Sequence, residues 1–205
     1  MWKQLKNPKN VFNLPNLLTL SRIFLIPIMA LMLEFDNEVI ALEKDWTFRY
    51  SPGRVAAFII IIAGITDILD GWLARKWNIV SLFGKFLDPV ADKLILMVGL
   101  VMLMKLGRVE AWLVMLLLSR EFLITALRGV AAGEGLIISA SGAGKWKLTF
   151  QMTGLGFLMW HGSAFGMSAA SIGIWILYSA LFISLLSGYH YLRDFYAARS
   201  AKMHE

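Results

Sequence analysis

Apolar positions along the chain gather into long blocks rather than recurring at the three- and four-residue spacing of a helix with one wet face. Six blocks approach the roughly 20 residues that a helix needs to cross hydrocarbon: residues 17–33, 55–74, 89–106, 111–132, 149–167 and 171–190. The pattern predicts an all-α, polytopic membrane protein with six transmembrane helices. The opening stretch MWKQLKNPKN is too polar for the leading region of a cleaved signal, and no small-residue cut site follows Leu33. With Trp2 and Leu5 set among Lys3, Lys6 and Lys9, it reads as an interfacial helix over residues 1–14. Pro15 and Asn16 then break the chain before the first span. No internal repeat or low-complexity stretch interrupts the pattern, which predicts one domain over 1–205.

Composition narrows the class. Hydrophobic residues make up 58% and charged residues 17% of the 205, against roughly 45–50% and 25% in soluble domains, and the mean hydropathy is +0.65. These values exclude a soluble globule, a disordered tail and a disulfide scaffold. With no cysteine, any metal must be held by oxygen or imidazole. A net charge of +6 would suggest nucleic acid as the partner of a soluble protein. In a membrane chain it points instead to cytosolic segments facing anionic lipid. With the N-terminus inside, 15 of the 20 Lys and Arg fall on inner segments and five (Lys44, Arg49, Arg54, Lys105 and Arg108) on outer ones. The positive-inside bias therefore predicts both termini in the cytosol.

Against so few charges, the stretch DILDGWLARKWNIVSLFGKFLDPVADK stands out. The 12 residues from Val55 to Thr66 span about 18 Å as helix, short of a ~30 Å hydrocarbon core. Asp67 and Asp70 are therefore expected toward the cytosolic face. Four carboxylates in hydrocarbon would cost roughly 10 kcal/mol without compensation. Asp67 and Asp70 are three apart and Asp88 and Asp92 four apart, so each pair shares a helix face. Gly71, Ala74 and Gly84 leave room beside them for a bulky ligand. Two antiparallel helices joined by a short turn would bring the pairs together. Converging carboxylates without Cys or nearby His suit a hard divalent cation, Mg²⁺ first among them. Two such ions are able to clamp a pyrophosphate during phosphoryl transfer. A lone membrane aspartate is as readily a helix contact or part of an ion relay; four at these spacings, interleaved with small residues and an arginine, favour the metal site. Pro89 is expected to cap or kink its helix, with no chemistry of its own.

The spacing DxxDGxxAR(x8)GxxxDxxxD is complete here: Asp67, Asp70, Gly71, Ala74, Arg75, Gly84, Asp88 and Asp92. It resembles the signature of the CDP-alcohol phosphotransferase family. LPNLLTLSRIFLIP near the N-terminus, SREFLITALRG in the fourth span and GKWKLTFQM before the fifth resemble the bacterial branch that makes phosphatidylglycerophosphate. The likeness covers nearly the whole chain and is weakest in loop 34–53 and the last two spans. It implies a six-helix enzyme of the cell (inner) membrane, usually a homodimer, with its metal site at the cytosolic side. The implied activity is transfer of a phosphatidyl group from CDP-diacylglycerol to an alcohol, with release of CMP. By motif position, Asp67, Asp70, Asp88 and Asp92 would hold the metal, two Mg²⁺ with Mn²⁺ as an alternative, and Asp92 would also be the base. Gly71, Ala74, Arg75 and Gly84, with Asp67, Asp70, Thr66 and Ser81, would line the nucleotide site. In this branch the acceptor is sn-glycerol 3-phosphate.

An anionic acceptor also has a reading of its own in the sequence. Arg120 and Arg128 lie eight apart, roughly on one face of an apolar span, and Lys145 and Lys147 flank the start of the next. Such a cluster grips a phosphate, or else these residues are positive-inside anchors, with Glu121 a structural partner of Arg120. Arg22 and Asn16 either touch the donor's phosphates or anchor lipid headgroups. His161 and His190 are expected near opposite faces, and His204 lies in the tail. Gly154 and Gly156, with Thr153, permit close helix contact. Two rival readings stay open: a same-family enzyme with another acceptor, such as a cardiolipin synthase or phosphatidylinositol phosphate synthase, and a divalent-cation or proton-coupled transporter.

Overall fold

A computed structural model describes residues 14–42, 51–77, 82–136, 143–160, 162–164 and 166–203. Among them are six helices: α1 Leu14–Leu42, α2 Pro52–Lys76, α3 Leu82–Lys105, α4 Ala111–Gly133, α5 Ala143–Met159 and α6 Ala169–Met203. Apart from Leu14, the interfacial helix expected over 1–14 lies outside the described residues.

Most helices overrun the apolar blocks that announced them. Backbone hydrogen bonding continues through the polar flanks, because a helix needs apolar side chains only where it meets lipid or core. α1 thus runs to Leu42 through Pro27, and α6 continues well past the expected limit at 190. α3 begins at Leu82, so Pro89 lies inside the helix and is not its cap. The fifth span differs most. Its helix starts at Ala143 and stops at Met159, and a two-stranded hairpin (β1 Ser163–Ala164, β2 Met167–Ser168) occupies what the apolar run 149–167 assigned to helix. Gly166 turns the hairpin at φ +77°, a conformation that favours glycine.

Among the described residues, three segments, Leu14–Asp36, Pro52–Leu73 and Ala169–Lys202, are long and apolar enough to cross a membrane. In α3 the charges Asp88, Asp92 and Lys93 interrupt the apolar run, and in α4 Arg120, Glu121 and Arg128 do so; α5 has only 17 residues. Phe24, Ile68 and Trp175 are each at least 70% exposed, an outer surface suited to lipid and not to water. The protein is a membrane protein of the helical class.

α1 packs on α2 and α3, α5 packs on α2, α3 and α6, and α4 packs on α3 and α6. Leu33, Ala57, Ile60, Leu100, Leu103, Leu113, Leu155 and Met159 belong to the apolar core. α5 and α6 approach most closely where glycines face side chains and backbone. A Cβ on Gly173 would lie 2.7 Å from Leu158 Cγ and 2.9 Å from the Gly154 carbonyl oxygen, and one on Gly154 would lie 3.0 Å from Leu177. Gly154 therefore does permit close contact, whereas Gly156 has ordinary room beside Ile60 at 3.6 Å. One end of the bundle is pinned by Asp36. It accepts hydrogen bonds from Ser51 Oγ at 2.7 Å, the Gly53 N–H at 2.8 Å and Arg108 at 2.5 Å. The four motif aspartates lie toward the other end.

Candidate active site

The carboxylates come from the last third of α2 and the first half of α3. Asp67 and Asp70 are about one turn apart on α2, as are Asp88 and Asp92 on α3. α1 supplies their common partner. Arg22, 1% exposed, donates from Nη1 to Asp67 at 2.8 Å and Asp92 at 2.7 Å, and from Nη2 to Asp70. Asp88 lies 4.0 Å from the same guanidinium. Thr19, one turn earlier on α1, donates to Asp88 at 2.6 Å.

This arrangement settles where Arg22 points. The two sequence readings sent it to the donor's phosphates or to lipid headgroups, yet it lies in the middle of the carboxylates. A buried charge needs a counter-charge, and the guanidinium is the cation at hand. Asn16 is also buried, at 3% exposure, on the same α1 face as Thr19 and Arg22. Sequence reasoning missed Thr19. The i, i+3, i+6 spacing of Asn16, Thr19 and Arg22 was its signal.

Among the described residues no three acidic or imidazole groups already stand at ligating distances from one another, because each carboxylate faces Arg22 or Thr19. The donor set nonetheless fits a divalent cation. It is all oxygen, it carries more negative charge than one arginine balances, and the position at its centre already holds a positive group.

The nucleotide residues expected from the motif fare unevenly. Gly84 is buried and Gly71 half-buried beside the aspartates on their helices. Thr66 donates its proton to the carbonyl of Ile62 or Ala63, each at 2.9 Å, which leaves only its oxygen lone pairs for a ligand. Ser81 and the side chains of Ala74, Arg75 and Lys145 lie outside the described residues, as do His161 and His204.

Beside the carboxylates a cavity of about 460 Å³ opens between α3, α4, α5 and α6. Asp92 borders it, and Arg120, Arg128 and Lys147 line it. The structure thus brings together three of the four residues expected to meet an anion. Arg120 donates to Ser187 Oγ at 2.6 Å, and Arg128 stacks its guanidinium on the Tyr191 ring, 5.4 Å from the centroid. Lys147, 8% exposed, donates to Glu121, which also lies 3.5 Å from Arg120. Glu121 is therefore a partner of two cations, as the sequence suggested for one. Lys93, which donates to Thr125 at 2.9 Å, and Gln151, buried at 3% exposure, complete the wall. So do Ser187, His190, Tyr191 and Asp194, an i, i+3, i+4, i+7 stripe on α6. That polar stripe in an apolar helix was readable in the sequence.

A second cavity, about 380 Å³ and almost wholly apolar, runs from Asp67 along Gly64, Ile61 and Ala57 of α2, against Met152 and Gly156 of α5. A polar cavity and an apolar groove therefore flank the same carboxylate cluster.

The family model described as CDP-alcohol phosphatidyltransferase matches residues 12–186. Curated relatives with the name CDP-diacylglycerol–glycerol-3-phosphate 3-phosphatidyltransferase align over most of both chains. The protein of Bacillus subtilis is 38% identical, covering 88% of this chain and 94% of its own. That of Haemophilus influenzae is 37% identical over 89% and 92%, and that of Rickettsia typhi 35% identical over 88% and 96%. With both motif halves gathered around one buried cluster and the match extending over five of its six helices and into the sixth, the chain belongs to the CDP-alcohol phosphatidyltransferase family, a family of membrane transferases.

Proposed function

We propose that the protein transfers the phosphatidyl group of CDP-diacylglycerol to the 1-hydroxyl of sn-glycerol 3-phosphate, giving phosphatidylglycerophosphate and CMP. One observation carries this reading: Asp92 belongs to the carboxylate cluster and also borders the cavity lined by Arg120, Arg128 and Lys147. A base between a donor site and an anion site is what transfer to a phosphorylated alcohol requires. The names of the relatives support the same pair of substrates.

The family uses divalent metals. In this chain Asp67, Asp70, Asp88 and Asp92 would hold two Mg²⁺ ions, with Mn²⁺ as the alternative, once Arg22 withdraws. The metal, when bound, supplies positive charge for the donor's pyrophosphate. Thr66, Gly71, Ala74, Arg75, Ser81 and Gly84 form the nucleotide site by motif position. The apolar groove that starts at Asp67 suits an acyl chain of the donor. Arg120, Arg128, Lys147 and Lys145 hold the acceptor's phosphate, so that its 1-hydroxyl reaches Asp92. Asp92 takes the hydroxyl proton as the oxygen attacks the lipid-bearing phosphorus. The phosphorus–oxygen bond to CMP breaks, and CMP leaves with the bonding pair.

The chain works as one domain with six membrane passes, both termini and the active site cytosolic, in a cell membrane and as a homodimer. The excess of Lys and Arg on the carboxylate side supports that orientation. The test is CMP release by purified protein given CDP-diacylglycerol, Mg²⁺ and each acceptor in turn. Release with glycerol 3-phosphate is expected. No release with it, but release with inositol phosphate or phosphatidylglycerol, overturns the acceptor.

A further inference from the structure

Gln151 lies one turn from Lys147 on the same face of α5, and its side chain lines the cavity bordered by Asp92. It is 3% exposed, and its Oε1 has no hydrogen-bond partner. Buried side-chain polar atoms are paired in the large majority of cases, so an unpaired one at a cavity wall calls for a reason. Its polar neighbours are occupied elsewhere. Glu121 accepts from Lys147, Arg120 donates to Ser187, and Lys93 donates to Thr125.

The acceptor has three kinds of polar group. Its phosphate suits the arginines and Lys147, and its primary hydroxyl must face Asp92. The secondary hydroxyl remains, both donor and acceptor, and against a buried wall it needs a neutral partner of matching character. The cationic residues only donate, and an ionised carboxylate only accepts. A primary amide does both, and so does a hydroxyl, but Ser187 and Thr125 each already donate to a backbone carbonyl and accept from Arg120 and Lys93 respectively.

We infer that Gln151 accepts a hydrogen bond from the secondary hydroxyl of the acceptor and thereby selects a polyol phosphate over a simple hydroxyalkyl phosphate. Gln151 is a specificity-determining residue that orients the acceptor and does no proton transfer. The inference rests on the glycerol 3-phosphate reading above.

The experiment compares glycerol 3-phosphate with 3-hydroxypropyl phosphate, which lacks only the secondary hydroxyl, in the wild-type protein and in Gln151→Met. CMP release is followed with CDP-diacylglycerol and Mg²⁺ present. The wild type is expected to lose roughly 10–100-fold in kcat/KM without the hydroxyl, since a site built for a hydroxyl rejects the analogue that lacks it. Gln151→Met should lose a similar factor on glycerol 3-phosphate and treat the two acceptors alike, within about threefold. Its melting temperature should hold or rise, because an unpaired buried polar atom has been removed; a merely structural glutamine would lower it. If the methionine variant does not fold, Gln151→Asn, which draws the amide back by one methylene, is read the same way. A variant that keeps the wild-type preference between the acceptors overturns the inference and leaves the acceptor reading standing. A wild type inactive with glycerol 3-phosphate but active with another alcohol overturns both.

Discussion

Arg22 offers the most direct test of how the carboxylate cluster is held together. Replacing it by glutamine keeps the approximate length and removes the charge. Asp70, with 4% of its side chain exposed, would lose its buried counter-charge, and Asp92 at 19% most of its own. Asp67 and Asp88 are 31% and 42% exposed, so water screens them and they add less. Removing one partner from a buried ion pair costs about 3–5 kcal/mol. At roughly 2–4 °C per kcal/mol for a chain of this length, Arg22→Gln should melt about 6–20 °C below wild type in EDTA. A divalent cation bound only by the folded site would supply the missing charge. Millimolar Mg²⁺ should therefore raise the variant's melting temperature by more than it raises that of the wild type. Arg22→Lys, which keeps the charge but not the planar fork, should fall between the two. The assay is tryptophan fluorescence of the full-length protein in detergent, which its 8 Trp make sensitive. A variant melting within about 2 °C of wild type in EDTA refutes the claim that Arg22 holds the aspartates together. Equal Mg²⁺ shifts in both proteins refute the claim that cation and guanidinium serve the same carboxylates.

Three further outcomes follow from the same geometry. Asp92→Asn should lower CMP release by about 10²–10⁴-fold, the usual contribution of a positioned base, while CDP-diacylglycerol binding stays measurable; near-normal turnover would remove Asp92 from the base role. Lys147→Met should raise the KM for glycerol 3-phosphate roughly 30-fold or more, since truncating one member of a buried charge pair costs 2–5 kcal/mol, with little change in donor KM. Gly173→Ala forces a Cβ to within 2.7 Å of Leu158 and 2.9 Å of the Gly154 carbonyl oxygen. It should destabilise the α5–α6 contact by about 1–3 kcal/mol, read as a lower melting temperature, and an unchanged one would mean that the helices shift apart freely.

The sequence made the helices legible because long apolar blocks leave a chain in lipid no choice but helix. Helix ends were not legible, since polar flanks such as 191–203 continue the helix without any hydropathy signal. The misjudged fifth span has a local reason. Apolar content alone does not distinguish helix from a hairpin, and the signal lay in Gly162 and Gly166 at positive φ. Fixed spacing places the four aspartates on two helix faces, but spacing within two helices says nothing about a third. That Arg22 of α1 enters the cluster depends on α1 packing against both α2 and α3. The polar cavity was partly legible in Arg120, Arg128 and Lys147. Gln151 was not legible, because a lone polar residue takes its meaning only when four helices close around one space; the α6 stripe from Ser187 to Asp194 was readable as polar, but what it faces was not.

The same packing separates a transferase from a transporter built on intramembrane carboxylates. A transporter needs its site reachable from both faces. Along α3 beyond Asp92, Ile95, Leu96, Leu100 and Leu103 are each 6% exposed or less, and Leu33, Leu113, Leu155 and Met159 are buried with them in one core. Beyond that core the helices are locked together. Arg108 donates to Asp36 at 2.5 Å and to the Leu158 carbonyl oxygen at 3.3 Å, so α1, α5 and the α3–α4 connection meet at one buried ion pair. Opening a path to that end would mean parting the apolar core and breaking that pair, the latter alone costing about 3–5 kcal/mol. A transferase of lipid substrates needs no such path. It needs one wet opening for a soluble acceptor and one greasy opening for its donor. The polar cavity at Asp92 and the apolar groove at Asp67, both bordering a single carboxylate cluster, match that demand.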